Sequence, residues 1–245
     1  MSEPRAAGFS AQQRASAYPP GIGEHFWLRS RDRIVREALQ RIGAGAPVLD
    51  LGCGPGVTVR HLRDSGVECR GVDLATYQPV PPDLAGVLGY GQDAFALPLA
   101  SRDAYRTLLL LDVLEHIADP LAFLRRCLDA FPRVAHLVVT LPARQELWSN
   151  YDEFYGHCRR YDRASAARLC VDAGAAVIDC RYFFHALYPL LALQRLLSIG
   201  RSVEFAPVRH RRVHDLVARC LHLEARVLPG WLPGSSLLVT ARAPR

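Results

Sequence analysis

Three glycines at alternate positions follow an acidic residue in the segment VLDLGCGPG. Asp50 precedes Gly52, Gly54 and Gly56, and an apolar stretch leads into them. Ordered glycine costs backbone entropy, so this spacing predicts a tight turn or the close approach of a ligand to the main chain. The dinucleotide-binding pattern GxGxxG needs its third glycine one residue later, where this chain has Val57. A carboxylate beside the turn repels phosphate and attracts a cation, which favours a positively charged nucleoside.

Three further acidic residues follow other predicted strands. Asp73 lies nineteen residues after Gly54, near the spacing at which a carboxylate binds the ribose hydroxyls of a nucleoside. Asp93 follows the third predicted strand, and Asp112 follows the fourth. The carboxyl ends of parallel strands meet at one edge of a sheet, so all these acids are expected there. The alternative for Asp73 is that it only caps a turn.

The elements that must position these residues alternate between strands and helices. Residues 24–42 space their apolar side chains as a helix does, and a glycine-rich segment ends it. Later strands are predicted in PVLDL, ECRGVDL, GVLGYGQDA, YRTLLLLDVL, RVAHLVVTLP, AAVIDCRYFF and SSLLVTARA. Strands that alternate with helices predict an α/β fold with a doubly wound, mostly parallel sheet and right-handed crossovers.

Length and composition predict a single folded domain spanning residues 1–245. Half of the residues are hydrophobic and 22% are charged, a composition unlike that of a disordered chain. The formal charge of +6 comes from arginines that are scattered except at 209–212. A nucleic-acid surface is normally denser and contains interleaved aromatic residues, so no nucleic-acid partner is expected.

The seven cysteines contain no CxxC pair, so we expect neither a zinc site nor a disulfide framework, and no metal is predicted. Residues 1–18 are polar and lack the apolar core of a secretion signal. The sequence therefore predicts a cytoplasmic protein. A peripheral contact with the inner face of a membrane is left open.

In combination, these motifs resemble the S-adenosylmethionine-dependent methyltransferases of the Rossmann-like class. The resemblance covers residues 46–141 and rests on DLGCGPG, GVDLA, GQDAFALPL and LLLLDVLEHIADP. Within that class the chain resembles the methyltransferase type 11/12 group, which is related to the ubiquinone and menaquinone methylases. It implies a seven-stranded sheet whose antiparallel last strand, residues 235–242, lies between the fifth and sixth. It also implies a cofactor-binding core at 46–141 after an N-terminal helical segment at 1–45.

The same resemblance implies S-adenosylmethionine as the cofactor and gives individual residues a role in binding it. Asp50 is expected near the amino group of the methionine moiety. Asp73 is expected to bind the ribose hydroxyls, and Leu74 to pack on the adenine. Asp93 and Ala94 are expected to recognise the adenine amino edge. The other expected cofactor residues are Gly52, Cys53, Gly54 and Gly56, around the methionine moiety, and Asp112 and Val113, in the methyl-donor pocket.

Residues 143–164 are dense in polar and aromatic side chains, and we predict that they form a lid over the methyl acceptor. The stretch WSNYDEFYGHCRRYD resembles one in bacterial relatives of the ubiquinone and menaquinone methylases. His157 is the candidate general base because it titrates near neutral pH. The alternative is that His157 only bonds a carboxylate for structure, and His116 is assigned to packing. The residues expected to contact the acceptor are Trp148, Tyr151, Asp152, Tyr155, Arg160 and Tyr161.

Residues 185–232 lie between the last two predicted strands and combine leucine-rich faces with several arginines. This composition predicts a helical insertion that lies on an anionic membrane or covers a lipophilic acceptor. The alternative is a helical subdomain that packs on the sheet or forms a homodimer contact. Each of these interpretations predicts an apolar acceptor pocket.

Taken together, the sequence predicts O-methylation of a hydrophobic or amphipathic small molecule, such as a quinone-like phenol, a polyene or a lipid-linked sugar. Transfer to nitrogen or carbon is an alternative, because no motif identifies the acceptor atom. A second alternative is a catalytically inactive, cofactor-binding partner subunit. A third is a nicotinamide-dependent oxidoreductase, against which the position of Val57 argues.

Overall fold

Strands and helices alternate along residues 9–244, which are the residues that this computed structural model describes. Residues 1–8 of the predicted N-terminal segment, and Arg245, lie outside that range. The strands are β1 (Val48–Leu51), β2 (Cys69–Asp73), β3 (Leu88–Tyr90), β4 (Thr107–Leu111), β5 (His136–Pro142), β6 (Ala176–Phe183) and β7 (Ser236–Arg242). The helices are α1 (Ala11–Ala17), α2 (Phe26–Arg41), α3 (Val57–Asp64), α4 (Leu99–Arg102), α5 (Pro120–Ala130), α6 (Asn150–Tyr155), α7 (Arg163–Asp172), α8 (Leu187–Leu196) and α9 (Arg211–Val227).

One seven-stranded sheet confirms the predicted architecture. Its strand order is β3-β2-β1-β4-β5-β7-β6. The first five strands in this order are parallel, and β7 pairs antiparallel with both β5 and β6. Every residue of β1 and of β4 is buried, as expected of parallel strands that are covered on both faces. The chain order reverses between β1 and β4, which is where ligands bind in sheets of this type.

Helices cover both faces of the sheet with apolar side chains. On one face, buried residues of α5 and α7 pack in a cluster with β4, β5 and β7. On the other face, α2, α3 and α9 pack against the same strands. Helix α2 begins after His25, whose Nδ1 accepts a hydrogen bond from the Trp27 main chain at 3.3 Å. The helix predicted at residues 24–42 is confirmed.

Residues 185–232 contain α8 and α9, which differ in burial. Helix α9 packs on α2, where Asp215 pairs with Arg33 at 2.6 Å and with Arg29 at 2.9 Å. Helix α8 buries none of its residues. Within residues 9–244, no helix combines the length and the apolar character needed to span a membrane.

Candidate functional site

The glycine turn leaves β1 at its carboxyl end and leads into α3. Gly52, Gly54 and Gly56 have φ values of 76°, 54° and 80°, which residues with a side chain rarely adopt. The Gly54 amide donates to Oδ2 of Asp73 at 2.8 Å, so the turn and the second acid meet. A Cβ atom added to Gly54 would lie 2.7 Å from the hydroxyl of Tyr18. The turn therefore has room for glycine only.

Asp50 lies buried at the base of this turn and is 2% exposed. Its Oδ1 atom has no hydrogen-bond partner among residues 9–244. Burial raises the pKa of Asp50 to about 8; the charge of Arg31 opposes this shift, and the carboxylates of Asp32, Asp73 and Asp112 add to it. A buried polar atom without a partner is costly, so a cationic ligand at this position would stabilise the protein.

Arg31 connects α2 to this edge of the sheet, a contact that the sequence analysis missed. Its guanidinium donates to Oδ2 of Asp112 at 2.7 Å and to Oγ1 of Thr58 at 2.7 Å. It also pairs with Asp32 at 3.1 Å. Asp112 has a φ of 57°, a strained conformation for a residue with a side chain. The sequence feature that could have indicated this contact is a pair of adjacent charges, Arg31 and Asp32, on the apolar face of an amphipathic helix.

Tyr18, Tyr77 and Tyr90 lie beside the glycine turn and were not among the predicted site residues. The ring centroids of Tyr18 and Tyr77 are 5.6 Å apart, and those of Tyr77 and Tyr90 are 5.4 Å apart. Burial raises the pKa of all three hydroxyl groups, so they are neutral. Together they place aromatic surface next to Asp73.

Asp152 is the centre of a buried polar network inside residues 143–164. Its carboxylate accepts hydrogen bonds from Nε and Nη2 of Arg160 at 2.8 and 3.0 Å, and Nδ1 of His157 lies 2.8 Å from Oδ1. The Ser149 amide also donates to it, at 2.9 Å. Burial opposes ionisation of Asp152, but the hydrogen bonds and charges of His157 and Arg160 outweigh it and lower the pKa to about 2.

The segment that carries His157 is attached to the turn that follows β4. The Cys158 amide donates to the Glu115 carbonyl at 2.6 Å, and Arg159 donates to the Ala118 carbonyl at 2.6 Å. The rings of His157 and His116 meet edge to face, with centroids 4.8 Å apart. Residues 112–118 therefore join the glycine-turn edge, through Asp112, to the candidate base.

The N-terminal segment touches both of these regions. Tyr18 lies over Gly54, as described above, and Gln13 of α1 donates to the Phe154 carbonyl at 2.6 Å. The ring of Phe9 meets that of His116 with centroids 5.1 Å apart. Residues 9–18 thus extend from the glycine turn to the segment that carries His157.

A family model described as "Methyltransferase domain" matches residues 24–179. This match covers more than half of the chain and includes α2, the glycine turn and His157. The chain belongs to the S-adenosylmethionine-dependent methyltransferase family. The family resemblance, the fold and the cofactor expected from the sequence are confirmed.

Proteins similar to this methyltransferase share part of its sequence or its fold. The ubiquinone biosynthesis O-methyltransferase of Paraburkholderia phytofirmans is 32% identical over 90 residues, which are 34% of this chain and 39% of that enzyme. The match thus spans about two fifths of the length of that relative.

Two solved structures are similar in fold. Phosphoethanolamine N-methyltransferase 2 of Haemonchus contortus is 15% identical, with a TM-score of 0.58 over 97% of this chain and 61% of that one. The [4+2]-cyclase SpnF is 18% identical, with a TM-score of 0.54 over 89% of this chain and 82% of that one. At these identities the likeness shows the fold alone.

The residues of the methyltransferase at the glycine turn fit S-adenosylmethionine. The unpartnered Oδ1 of Asp50 suits a ligand that carries sulfonium and ammonium charges. The three glycines of the turn have no side chains that would cover its main chain. Asp73 accepts a hydrogen bond from the Gly54 amide beside it. Val113 lies next to Gly52, with its Cγ2 3.0 Å from the position that a Cβ would take.

The other predicted cofactor residues differ in exposure. Leu74 is 51% exposed and free to pack on a ligand. Asp93 is exposed, and its Oδ1 accepts a hydrogen bond from the Phe95 amide at 2.9 Å. Ala94 is buried in the core. The Cys53 thiol is also buried, because it packs against Gly71, so only the main chain of Cys53 is placed to contact the cofactor.

Three of the predicted acceptor residues of this methyltransferase have polar groups that bond within its own structure. Asp152 and Arg160 pair with each other, and Arg160 also donates to the Ala143 carbonyl at 3.0 Å. Tyr161 is buried, and its hydroxyl donates to the Leu114 carbonyl at 3.4 Å. These polar groups are buried and bonded within the chain, and their contact with the acceptor stays a prediction.

The three remaining residues of the predicted acceptor set are aromatic. One contacts Glu153, and the other two contact the insertion at residues 185–232. Trp148 is half-buried, and its Nε1 donates to Glu153 at 3.4 Å. The Tyr151 ring stacks against the Arg201 guanidinium, 4.0 Å from the ring centroid. The Tyr155 hydroxyl donates to the Val203 carbonyl at 2.6 Å. These contacts join residues 143–164 to the segment between α8 and α9.

Proposed function

We propose that this methyltransferase transfers a methyl group to a hydroxyl oxygen of a hydrophobic or amphipathic small molecule. The observation that carries the proposal is the buried Asp152–His157 pair, attached to the same turn as Asp112 of the cofactor edge. When bound, S-adenosylmethionine supplies an electrophilic methyl group whose bond to sulfur breaks as the bond to the acceptor oxygen forms. The hydroxyl proton must leave in that reaction, and S-adenosylhomocysteine is the second product.

We assign to His157 the role of accepting that proton. Its Nδ1 faces Asp152, so Nε2 is the ring nitrogen available to an acceptor. Asp152 fixes the ring orientation and stabilises the positive charge that protonation creates, as a carboxylate does in other histidine bases. General base catalysis of this kind contributes roughly a hundred- to ten-thousand-fold to a rate. The rest comes from alignment of acceptor and methyl group.

An exposed apolar surface supports a hydrophobic acceptor. It lies on and just after α8 and comprises Leu190, Leu193, Leu196, Leu197 and Ile199, each of which is more than half exposed. The same helix contacts residues 143–164, where the Tyr188 hydroxyl donates to Glu146 at 3.2 Å. A quinone-like phenol, a polyene or a lipid-linked sugar has the chemistry that such a surface would receive.

The same surface supports contact with an anionic membrane. Exposed arginines accompany it along the insertion, at Arg195, Arg209, Arg211 and Arg212. Leucines beside arginines bind interfaces that combine apolar chains with negative head groups. A membrane contact would deliver a lipophilic acceptor directly to residues 143–164.

Oxygen is favoured as the methylated atom by two observations. A neutral hydroxyl is a weak nucleophile until its proton is removed, so a base such as His157 assists a phenol more than an amine, whose nitrogen lone pair attacks directly. The similar enzyme from Paraburkholderia phytofirmans is named as an O-methyltransferase. Nitrogen remains the second candidate, because a named N-methyltransferase shares the fold.

The test begins with calorimetric titration of the protein with S-adenosylmethionine and S-adenosylhomocysteine, with NADH as the control ligand. Labelled methyl transfer is then measured to two acceptors of the same apolar skeleton, one a phenol and one an aniline. We expect binding of both adenosyl ligands and label in the phenol. Label in the aniline alone would contradict O-methylation, and tight binding of NADH alone would contradict the proposed cofactor role.

A further inference from the structure

We propose that Glu115, His116 and His157 bind a divalent first-row transition-metal cation. One ligand atom from each side chain lies within 4.8 Å of the other two. Glu115 and His116 are neighbours in the turn after β4, and His157 comes from the segment after α6. No metal was predicted from the sequence, because the cysteines contain no CxxC pair and His116 was assigned to packing.

Glu115 has an unused binding atom. The residue is 1% exposed, and its Oε2 has no hydrogen-bond partner among the described residues. Buried carboxyl groups in proteins are normally paired or bound to a metal. A cation between Glu115 and the two imidazole rings would supply the missing partner.

The orientation of His157 also suits a metal ligand. A histidine that binds a metal usually donates its other ring N–H to a carboxylate or carbonyl oxygen, which fixes the ring. Nδ1 of His157 is 2.8 Å from Asp152, so Nε2 is left for the cation. Asp152 is itself fully buried and bonded twice by Arg160, so it can hold the ring in place. His116 is confined between the rings of His157 and Phe9.

The ligand set selects the class of cation. Two imidazole nitrogens and one carboxylate oxygen suit Zn²⁺, Mn²⁺ or Fe²⁺, whereas Mg²⁺ and Ca²⁺ prefer oxygen ligands alone. Bonds of about 2.1 Å place neighbouring ligand atoms roughly 3 to 3.5 Å apart, so the three side chains would draw together on binding. Three protein ligands leave at least one position open for water or for an acceptor oxygen.

A bound cation would change how the acceptor hydroxyl loses its proton. A hydroxyl bound to the metal ionises at lower pH, and its proton passes to solvent water. Nε2 of His157 would then act as a ligand and no longer as a proton acceptor. This consequence rests on the proposed O-methyl transfer, whereas the metal site itself does not.

The test is titration of the full chain, without an affinity tag, with Co²⁺ after removal of metals by a chelator and dialysis. We expect one equivalent to bind and to give the visible absorption of a four- or five-coordinate site. Glu115→Gln and His116→Gln should each weaken binding at least about 100-fold. The matched control is His222→Gln, which removes another half-buried histidine paired with a carboxylate, Glu37 at 2.8 Å, and should bind Co²⁺ as the wild type does.

The proposal is overturned if the wild type binds less than one equivalent, or if Glu115→Gln and His116→Gln bind as tightly as the wild type. Circular dichroism on the same preparations shows whether the variants fold. If the variants do not fold, proton NMR of the wild type tests the site. Bound Co²⁺ shifts the resonances of its ligands, so the rings of two histidines must be affected. Calorimetry with S-adenosylmethionine on the same samples is independent of the metal. A wild-type protein that binds the metal but transfers no methyl group would count against the proposed function alone.

Discussion

Two buried aspartates distinguish the cofactor edge from the acceptor segment at residues 143–164. Asp50 has an unpartnered Oδ1, and burial raises its pKa to about 8. Asp152 is equally buried, yet its bonds to His157 and Arg160 lower its pKa to about 2. At pH 7 the buried Asp50 carboxyl group is therefore mostly neutral, whereas the equally buried Asp152 is ionised. At the cofactor edge, Asp50 has an oxygen that only a ligand would bond. In the acceptor segment, Asp152 is already bonded by side chains of the protein.

Neutralising each aspartate is the strongest test of this difference. Asp152→Asn leaves the buried Arg160 without its ion partner, and we expect the free energy of unfolding to fall by about 3–5 kcal/mol. Asp50→Asn replaces a carboxyl group that is already neutral at pH 7, so we expect less than about 1 kcal/mol of change. Chemical denaturation at pH 7 measures both. Equal losses for the two variants would show that the two acids are not in different states.

A second test adds one methyl group to the cofactor edge. Gly54→Ala brings a Cβ within 2.7 Å of the Tyr18 hydroxyl, and we expect the affinity for S-adenosylmethionine to fall at least about 100-fold. The matched control is Gly43→Ala, because Gly43 has a φ of 59° beside 54° for Gly54 and no atom within 4 Å of the added Cβ. Both variants place a side chain at a similar positive φ, but only Gly54 lies at the cofactor edge and contacts Tyr18. Calorimetry that gives equal affinities would contradict the assigned cofactor edge.

How much the sequence predicts also differs between the two regions. The strands and the cofactor edge depend on residues close together along the chain, since Asp50 and the three glycines lie within seven residues. Hydrophobic periodicity and motif spacing report such local order. All seven strands were predicted for that reason, whereas the antiparallel position of β7 was implied by the family resemblance.

The acceptor segment depends on contacts that no local pattern reports. Arg159 bonds a carbonyl 41 positions earlier, and Asn150 bonds the carbonyl of Arg201, 51 positions later. The composition of residues 143–164 shows charges and aromatic rings, but not which of them pair. Asp152 and Arg160 were therefore predicted to contact the acceptor, although their side chains bond each other.

The charge state of Asp50 gives a third prediction: the affinity for S-adenosylmethionine changes about tenfold for each pH unit. Its pKa in the folded protein is raised above the unfolded value, so the stability due to its neutral form is lost as pH rises toward 8. A cationic ligand favours the ionised form. Affinity for S-adenosylmethionine should therefore increase from pH 5.5 to 7, with release of a proton on binding.

Calorimetry in two buffers of different ionisation enthalpy counts that proton. The charged groups that face Asp50 are Arg31, Asp32, Asp73 and Asp112, and all of them are retained in the control variant Asp50→Asn. That variant should bind the ligand without releasing the proton. Release of the same proton by Asp50→Asn would assign the effect to another group.

The smallest expected effect concerns the surface on and after α8, on the acceptor side of the molecule. Leu196 is 79% exposed, and we expect Leu196→Asp to weaken binding to phosphatidylglycerol vesicles about tenfold. The matched control is Leu99→Asp, at a leucine of α4 that is 57% exposed and lies outside this surface. Vesicles of phosphatidylcholine, which has no net charge, show how much of the binding depends on negatively charged head groups.

Co-sedimentation with the vesicles provides the measurement. Equal loss in the two variants would contradict a membrane contact that is specific to this surface. If the wild type does not bind vesicles and sediments as a dimer that Leu196→Asp dissociates, a second copy of the chain is the partner instead.

The contacts of the N-terminal segment predict an order of binding for the cofactor and the acceptor. Tyr18 lies over Gly54, while Gln13 and Phe9 of the same segment contact Phe154 and His116 on the acceptor side. A cofactor that enters beneath Tyr18 must displace a segment that is also attached to the acceptor side. We therefore expect ordered kinetics, in which the methyl donor binds before the acceptor and the demethylated donor leaves last.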